Sequence, residues 1–417
     1  MLVSTVNLLY NQQEDKEVLE KIMKIKIPKK WTKFRHRVVF AILRPIFKLY
    51  FKLKYRLKYS VDEKITPKPC LIMSNHQTVL DPFIMAVSYK RPLYYVTSDD
   101  LLSIKFVSPI IEYLTGIIPK SKSKSDMNTI RITLKVLKEG GTVALFPEGN
   151  RTLSGDFWGI DVSAAKLAKM AKVPLVFFNI KGGYGTDPRW GGKLRKGKMT
   201  SGVVKVISPE ELEKMTVEEL HKEIEKELGV RDYESGVEFK STRSAEYLER
   251  ALYYCPNCKK FNTLKSDKHC LTCTSCGAEV EHTKDLKLKV KRGEIPFDTV
   301  KEWFDYQKQA LKDYAKEKDD ELFFDEGVEA RLIENGKRKK LGVATITAKA
   351  TGCKVVTKSG WSCEFDFCSL YGSAILGKKK VNFYLSDTQT LQIKGTDRFN
   401  GIKYVHLYDF IKEKNNG

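Results

Sequence analysis

In Pro69-Cys70-Leu71-Ile72-Met73-Ser74-Asn75-His76-Gln77-Thr78-Val79-Leu80-Asp81, a run of apolar residues stops abruptly at Ser-Asn-His. A short apolar run of this kind reads as a buried strand that delivers polar groups at its end. Asp81 follows His76 by five positions. Histidine takes a proton near neutral pH and does so best when a carboxylate holds its other ring nitrogen. Taken alone, a His and an Asp at this separation read first as a chance pairing.

Outward from this stretch, apolar strands at Thr142 to Phe146, Pro174 to Ile180 and Val203 to Ile207 alternate with helical patterns at Asn128 to Glu139 and Val162 to Ala171. Such alternation predicts an α/β domain around a largely buried sheet. Leu53 to Val61 alternates apolar with basic or polar residues and predicts a half-buried strand. Pro209 to Leu228 predicts a charged helix, followed by a linker.

A second polar turn, Phe146-Pro147-Glu148-Gly149-Asn150-Arg151-Thr152, closes the strand about 70 residues further on. Strand ends are where α/β proteins gather functional groups. The Arg151 fork suits a phosphate or carboxylate, and glycine amides add donors. A plain turn with Glu148 paired to Arg151 is the other reading. Together, Asn-His-x4-Asp and Phe-Pro-Glu-Gly-x-Arg-Thr at this separation resemble the glycerolipid acyltransferase family typified by lysophosphatidic-acid acyltransferases. The resemblance covers roughly residues 35 to 210. Gly116-Ile117-Ile118-Pro119 and Val173-Pro174-Leu175-Val176 look like two further blocks of the same family. Where the family's second block usually ends in an arginine, this chain has Lys120, Lys122 and Lys124. A lysine binds phosphate as a point charge without the bidentate fork.

The resemblance implies an acyl donor that is a thioester of coenzyme A or acyl carrier protein, and 1-acylglycerol-3-phosphate as acceptor, giving phosphatidic acid. His76, oriented by Asp81, is then the general base for direct attack on the thioester. Glu148, Gly149, Arg151, Thr152 and Lys120 are the expected substrate-binding residues. Glycerol-3-phosphate or another lysophospholipid is the rival acceptor. Gly182 to Lys198, glycine-rich and then basic, reads either as a contact for the donor's phosphates or as a solvated surface loop.

The chain carries 74 Lys plus Arg against 52 Asp plus Glu, a net charge of +22. This favours polyanions, either nucleic acid or an anionic membrane surface. Lys21 to Val61 contains no acidic residue, and its apolar bulk is interspersed with Lys and Arg beside Trp31 and several Tyr. A helix lying in the headgroup plane has this composition; an ordinary amphipathic helix packed on its own domain has it too. With no run of about 20 apolar residues and no secretory leader pattern, the expectation is a peripheral or monotopic protein on the cytoplasmic side of a membrane.

Of nine cysteines, Cys255, Cys258, Cys273 and Cys276 form two C-x-x-C knuckles fourteen residues apart. This is the spacing of a closed, structural zinc site with four thiolate ligands. His269 and Cys270 lie just outside it, and Cys70, Cys353, Cys363 and Cys368 are expected in core packing. Zinc ribbons often bind nucleic acid, so a nucleic-acid-binding protein with an inactive acyltransferase-like domain is the alternative of another class. Against it, the densest basic run carries membrane-style aromatics. Thr299 to Glu302 is a capping box opening a helix. From about Glu321, short alternating strands predict a sandwich or partly open barrel, and Tyr404 to Lys412 reads as a strand running into a closing helix. The expected organisation is a basic membrane-interfacial segment (1–60), a mixed-sheet α/β acyltransferase domain (61–230), a linker and zinc ribbon (231–290), and a helix plus β-rich domain (291–417).

Overall fold

The computed structural model describes residues 28–60, 66–98, 112–120, 127–318 and 321–416. Lys122, Lys124 and the part of the basic segment before residue 28 lie outside the described residues.

The apolar runs do form a mixed sheet of seven strands. These are β1 (Lys58–Ser60), β2 (Cys70–Ser74), β3 (Tyr94–Ser98), β4 (Ile118–Lys120), β5 (Thr142–Leu145), β6 (Leu175–Lys181) and β7 (Thr200–Ile207), in the order β1-β7-β6-β2-β5-β3-β4. β2 lies at the centre, parallel to both β5 and β6, while β6 and β7 run antiparallel. Alternate residues of β2 enter opposite cores. Leu71 and Met73 face one, and Cys70 and Ile72 the other, as the two-residue period of a strand requires. Helices α1 (Phe34–Tyr55) and α2 (Asp81–Ser88) cover one face; α3 (Met127–Lys138), α4 (Ser163–Ala171) and α7 (Val217–Leu228) cover the other.

Two short helices, α5 (Gly183–Thr186) and α6 (Pro209–Lys214), complete this part. The single charged helix expected from Pro209 to Leu228 is two, because Thr216 caps α7 with its hydroxyl accepting from the Glu219 amide. The strand expected at Leu53 to Val61 is also corrected. α1 runs on to Tyr55, because Phe51 and Tyr55 pack one turn apart on the sheet, and among the described residues of that stretch only Lys58–Ser60 pairs, parallel to β7.

The stretch expected as a linker is packed instead, with Phe239, Ala245 and Leu248 buried. A four-stranded antiparallel sheet follows, in the order β11-β10-β9-β8, from β8 (Leu264–Asp267), β9 (Cys270–Cys273), β10 (Glu279–His282) and β11 (Leu288–Arg292). Helix α8 (Val300–Glu317) opens on the Thr299–Glu302 capping box read from the sequence. The C-terminal part is one antiparallel sheet of β12 (Glu321–Glu334), β13 (Lys337–Lys349), β14 (Gly352–Thr357), β15 (Ser362–Asp366), β16 (Gly372–Leu376), β17 (Lys380–Tyr384) and β18 (Gln389–Lys394). Its order is β15-β14-β13-β12-β18-β17-β16. Helix α9 (Ile402–Asn416) closes it. The strand expected at the start of this last segment is therefore helical.

One apolar core runs through the whole second half. It contains Trp303, Phe323 and Tyr404, and it also reaches back to Leu153, Tyr184 and Trp190 of the first half. Two loops of the α/β part thus pack with the C-terminal modules rather than with their own sheet.

Candidate active site

β2, β5, β6, β3 and β4 are parallel to one another, so their C-terminal ends share one edge, where open α/β sheets place their sites. At the end of β2, Asn75 is buried and makes two hydrogen bonds across to β6. Its Nδ2 donates to the Ile180 carbonyl at 2.8 Å, and its Oδ1 accepts from the Ile180 amide at 2.8 Å. This anchors the turn that carries His76. His76 Nδ1 lies 2.8 Å from Asp81 Oδ2.

The Asp81 carboxylate is fully buried at the first turn of α2. It also accepts from the amides of Gln77 (2.6 Å) and Thr78 (2.9 Å) and from the Thr78 hydroxyl (2.6 Å). A carboxylate so surrounded by donors acts as acceptor only, which puts the imidazole proton on Nδ1 and leaves Nε2 with its lone pair. The His76 ring stacks on Phe146, centroids 4.4 Å apart, and its side chain remains 19% exposed.

The two motifs are joined through the His76 backbone. Its amide donates to Glu148 Oε1 at 2.7 Å, and its carbonyl accepts from the Thr152 amide at 3.1 Å. Burial pushes the Glu148 carboxyl up to about 8, against the hydrogen bond from the His76 amide. Glu148 Oε2 is buried with no hydrogen-bond partner among the described residues. The plain-turn reading, in which Glu148 pairs with Arg151, does not hold: the guanidinium of half-buried Arg151 has no hydrogen-bond partner among the described residues. Burial draws the Arg151 guanidinium below the usual arginine value, with Asp81 and Asp187 acting the other way.

The remaining expected binding residues divide. Gly149 is exposed at φ +66°, a conformation that glycine adopts at no steric cost. Its amide is engaged by the Phe146 carbonyl and is not free for a phosphate. The Thr152 hydroxyl is likewise taken inside its loop, donating to the Asp156 carbonyl at 2.5 Å and accepting from the Gly155 amide at 2.9 Å. Both residues shape the loop. Lys120 is exposed at the end of β4, three strands from β2, a separation of about 14 Å at the usual strand spacing.

Of Gly182 to Lys198, read as either a donor-phosphate contact or a solvated loop, only the basic end is solvated, with Gly192, Lys193, Lys196 and Lys198 exposed. Gly183, Tyr184, Arg189 and Trp190 are buried. Gln77 Oε1 accepts from the amides of Gly183 and Tyr184, and the Asp232 carboxylate accepts from those of Gly182 and Gly185. The Arg189 guanidinium is turned wholly inward. Its Nη1 donates to Asn150 Oδ1 and to the Arg151 carbonyl, both at 3.0 Å, while Nη2 and Nε reach the carbonyls of Ile375 (2.8 Å) and Gly377 (3.0 Å). Sequence reading missed Asn75, Gln77, Asn150, Arg189 and Asp232. Asn75 is specified in the Asn-His-x4-Asp motif, whereas Gln77 and Asn150 fall at unspecified positions of the two motifs and Arg189 and Asp232 lie outside them.

The four knuckle cysteines bring their sulfurs within 4.8 Å of one another. Cys255 and Cys276 are 3.8 Å apart, and Cys258 and Cys273 3.6 Å. A tetrahedral zinc with sulfurs at about 2.3 Å has S···S edges of about 3.8 Å, so these donors fit that ion. His269 Nδ1 is instead bonded to the Ser244 hydroxyl, and Cys270 stands outside the group. Cys70 and Cys353 are buried in cores as expected, Cys363 partly so, while Cys368 is exposed.

Residues 56–181 match the family model described as Acyltransferase. A probable 1-acyl-sn-glycerol-3-phosphate acyltransferase of Mycoplasma genitalium is 28% identical over 132 residues, covering 30% of this chain and 49% of that protein. The human 1-acyl-sn-glycerol-3-phosphate acyltransferase beta is 31% identical over 114 residues, covering 26% of this chain and 40% of that protein. The crystal structure of the 1-acyl-sn-glycerophosphate (LPA) acyltransferase PlsC from Thermotoga maritima is 20% identical, covers 52% of this chain and 85% of that one, and superposes with a TM-score of 0.40. The chain spans about half the length of the curated relatives it matches, or less. His76, Asp81, Glu148 and Arg151 all lie inside residues 56–181, the part of the chain that matches the acyltransferase family model.

Proposed function

We propose that this protein transfers a fatty acyl group from an acyl thioester, of coenzyme A or acyl carrier protein, to the free hydroxyl of 1-acylglycerol-3-phosphate, giving phosphatidic acid. The observation that carries the reading is the His76–Asp81 pair, 2.8 Å apart at the strand edge. His76 Nε2 removes the hydroxyl proton as the oxygen attacks the thioester carbonyl. The tetrahedral adduct collapses with departure of the thiolate, which recovers the proton from the imidazolium. Asp81 holds the tautomer and offsets the charge on the ring. No acyl-enzyme enters this scheme. Arg151, whose fork is unoccupied by the described protein groups, receives the acceptor's phosphate.

Helix α1 supports a membrane-surface setting. Phe34, Ile42, Ile46, Leu49 and Leu53 are each more than half exposed, and at 100° per residue they fall on one arc about 100 to 120° wide. Lys48 and Lys52 lie along one edge of that arc, while Phe47 stacks on Phe83 of α2 at 4.7 Å. Among the described residues no helix is long and apolar enough to cross a membrane. In this reading α1 lies in the headgroup plane and brings the His76 edge to lipid substrates. A zinc held by Cys255, Cys258, Cys273 and Cys276 would have no open coordination position, and its role would be structural.

The test is acyl transfer from labelled donor to a panel of lysophosphatidic acid, glycerol-3-phosphate and lysophospholipids with larger head groups. Transfer to lysophosphatidic acid above the others is expected. Preference for another acceptor would move the head-group assignment, and a salt-sensitive gel shift with no transfer to any acceptor would put nucleic-acid binding in its place.

A further inference from the structure

The C-terminal sheet touches the candidate site through one turn. Between β16 and β17, Gly377 at φ +66° bends the chain so that the carbonyls of Ile375 and Gly377 point at Arg189, which grips both. The same guanidinium holds Asn150 Oδ1 and the Arg151 carbonyl. The turn and the Arg151 loop are therefore fixed to each other through a side chain that is 2% exposed.

This docking places Lys378 where burial draws its ammonium below the usual lysine value, with Asp187 acting the other way and Arg250, then Arg151, adding to the lowering. Its ammonium donates to the Gly191 carbonyl at 2.5 Å and lies 3.9 Å from Asp187 Oδ1, which leaves donors for a further acceptor. Asp187 feels both cations, Lys378 first and Arg151 second, and they oppose the effect of its burial. An anion at this position is a problem for the proposed reaction, because Asp187 repels the phosphate that Arg151 is to bind. A second cation against Asp187 offsets that repulsion. The matched acyltransferase residues end at position 181, so Asp187, Arg189 and Lys378 all lie beyond them.

We infer that Lys378, supplied by the C-terminal sheet, is a binding residue for the acceptor's phosphate, which it holds jointly with Arg151. This rests on the acceptor reading above and extends it. The appended module is then part of the substrate site and sets a requirement for a phosphate-bearing acceptor.

The experiment compares the full chain with Lys378→Gln, Lys378→Arg and, as a control on the same turn, Lys379→Gln. Lys379 pairs with Asp397 and takes no part in the contacts with Asp187 and Gly191. For lysophosphatidic acid in mixed micelles, Lys378→Gln is expected to raise KM about 10-fold with kcat within about twofold, the signature of lost ground-state binding. Lys378→Arg keeps most of the affinity, and Lys379→Gln leaves both constants unchanged. Equilibrium binding of lysophosphatidic acid to His76→Ala and to His76→Ala/Lys378→Gln gives the same comparison without turnover, and thermal melting of each variant separates lost binding from lost folding. An unchanged KM in a folded Lys378→Gln chain, with wild-type transfer intact, overturns this inference and leaves the acceptor reading standing. A wild-type chain that acylates no phosphate-bearing acceptor overturns both.

Discussion

The His76 turn and the Arg151 loop meet at two hydrogen bonds made by the His76 backbone, one to the Glu148 carboxyl and one from the Thr152 amide, yet they are held by different means. The His76 turn is local. Asp81 gathers the ring, two amides and a hydroxyl from within five residues, and Asn75 ties the turn to the neighbouring strand. The Arg151 loop is held from a distance. Arg189 pins its backbone, Asp156 is paired with Arg231 at 3.0 Å, and Trp158 packs against Phe304 and His406 of the second half. The His76 half of the candidate site is thus held mainly by its own neighbours, with Gln77 alone of that turn, among the described residues, reaching Gly183 and Tyr184, whereas the Arg151 half depends on modules outside the matched residues.

Replacing Asp81 tests the local half and carries the largest expected effect. Asp81→Asn keeps the size but removes the charge that fixes the Nδ1 proton. The turnover number is expected to fall on the order of 10³-fold with the acceptor KM little changed. A fall of less than about tenfold would mean that the dyad is structural.

Removing the zinc probes the distant half. One zinc per chain is expected by elemental analysis, and Cys273→Ser or chelation should unfold the four-stranded sheet, since a structural zinc contributes about 10 kcal/mol or more in small finger domains. The comparison predicts that hydrogen-exchange protection is lost in residues 151–158 as well, and retained in residues 70–81. Equal loss in both would erase the distinction.

Arg189→Met acts on the same half more gently. It leaves three carbonyls and Asn150 Oδ1 without this donor, and at about 1–3 kcal/mol for each buried orphan the chain should lose about 3 kcal/mol or more of stability. Acceptor KM is expected to rise while turnover at saturating acceptor stays within a few-fold. A variant that loses turnover with unchanged KM would place Arg189 with the chemistry instead.

The smallest effect is on Glu148, where the halves join. Its carboxyl titrates near 4.5 ordinarily and about 8 in the folded chain. The protonated form therefore contributes stability that is complete below the ordinary value and lost as pH rises through the folded one. Glu148→Gln removes this dependence, so the Tm difference, variant minus wild type, should grow more positive between about pH 5 and about pH 8.5. A difference that is flat with pH would show that the carboxyl is ionised throughout.

The same division explains what the sequence disclosed. The strand through Cys70 to Met73, the His76–Asp81 pair, the knuckle cysteines and the Thr299 cap all depend on neighbours a few residues away, so their spacing carries the information. Arg189 is bonded to groups 38 and 39 residues before it and 186 and 188 after it, and no local pattern records such partners. Helix α9 reads as a strand at its start because Ile402, Tyr404, Val405, Leu407, Phe410 and Ile411 are buried on several sides, which erases the 3.6-residue period. At Leu53 to Val61 the alternation hides a helix end, since Leu53 is exposed while Phe51 and Tyr55 pack inward one turn apart.

The central claim is that His76 is the base of an acyl transfer, and the direct measurement is transfer from labelled acyl-CoA, and separately acyl carrier protein, to lysophosphatidic acid by wild type and His76→Ala. The account predicts phosphatidic acid from the wild type and a loss of at least about 10²-fold in the variant with its thermal melt unchanged. Undiminished transfer by a folded His76→Ala chain would contradict it.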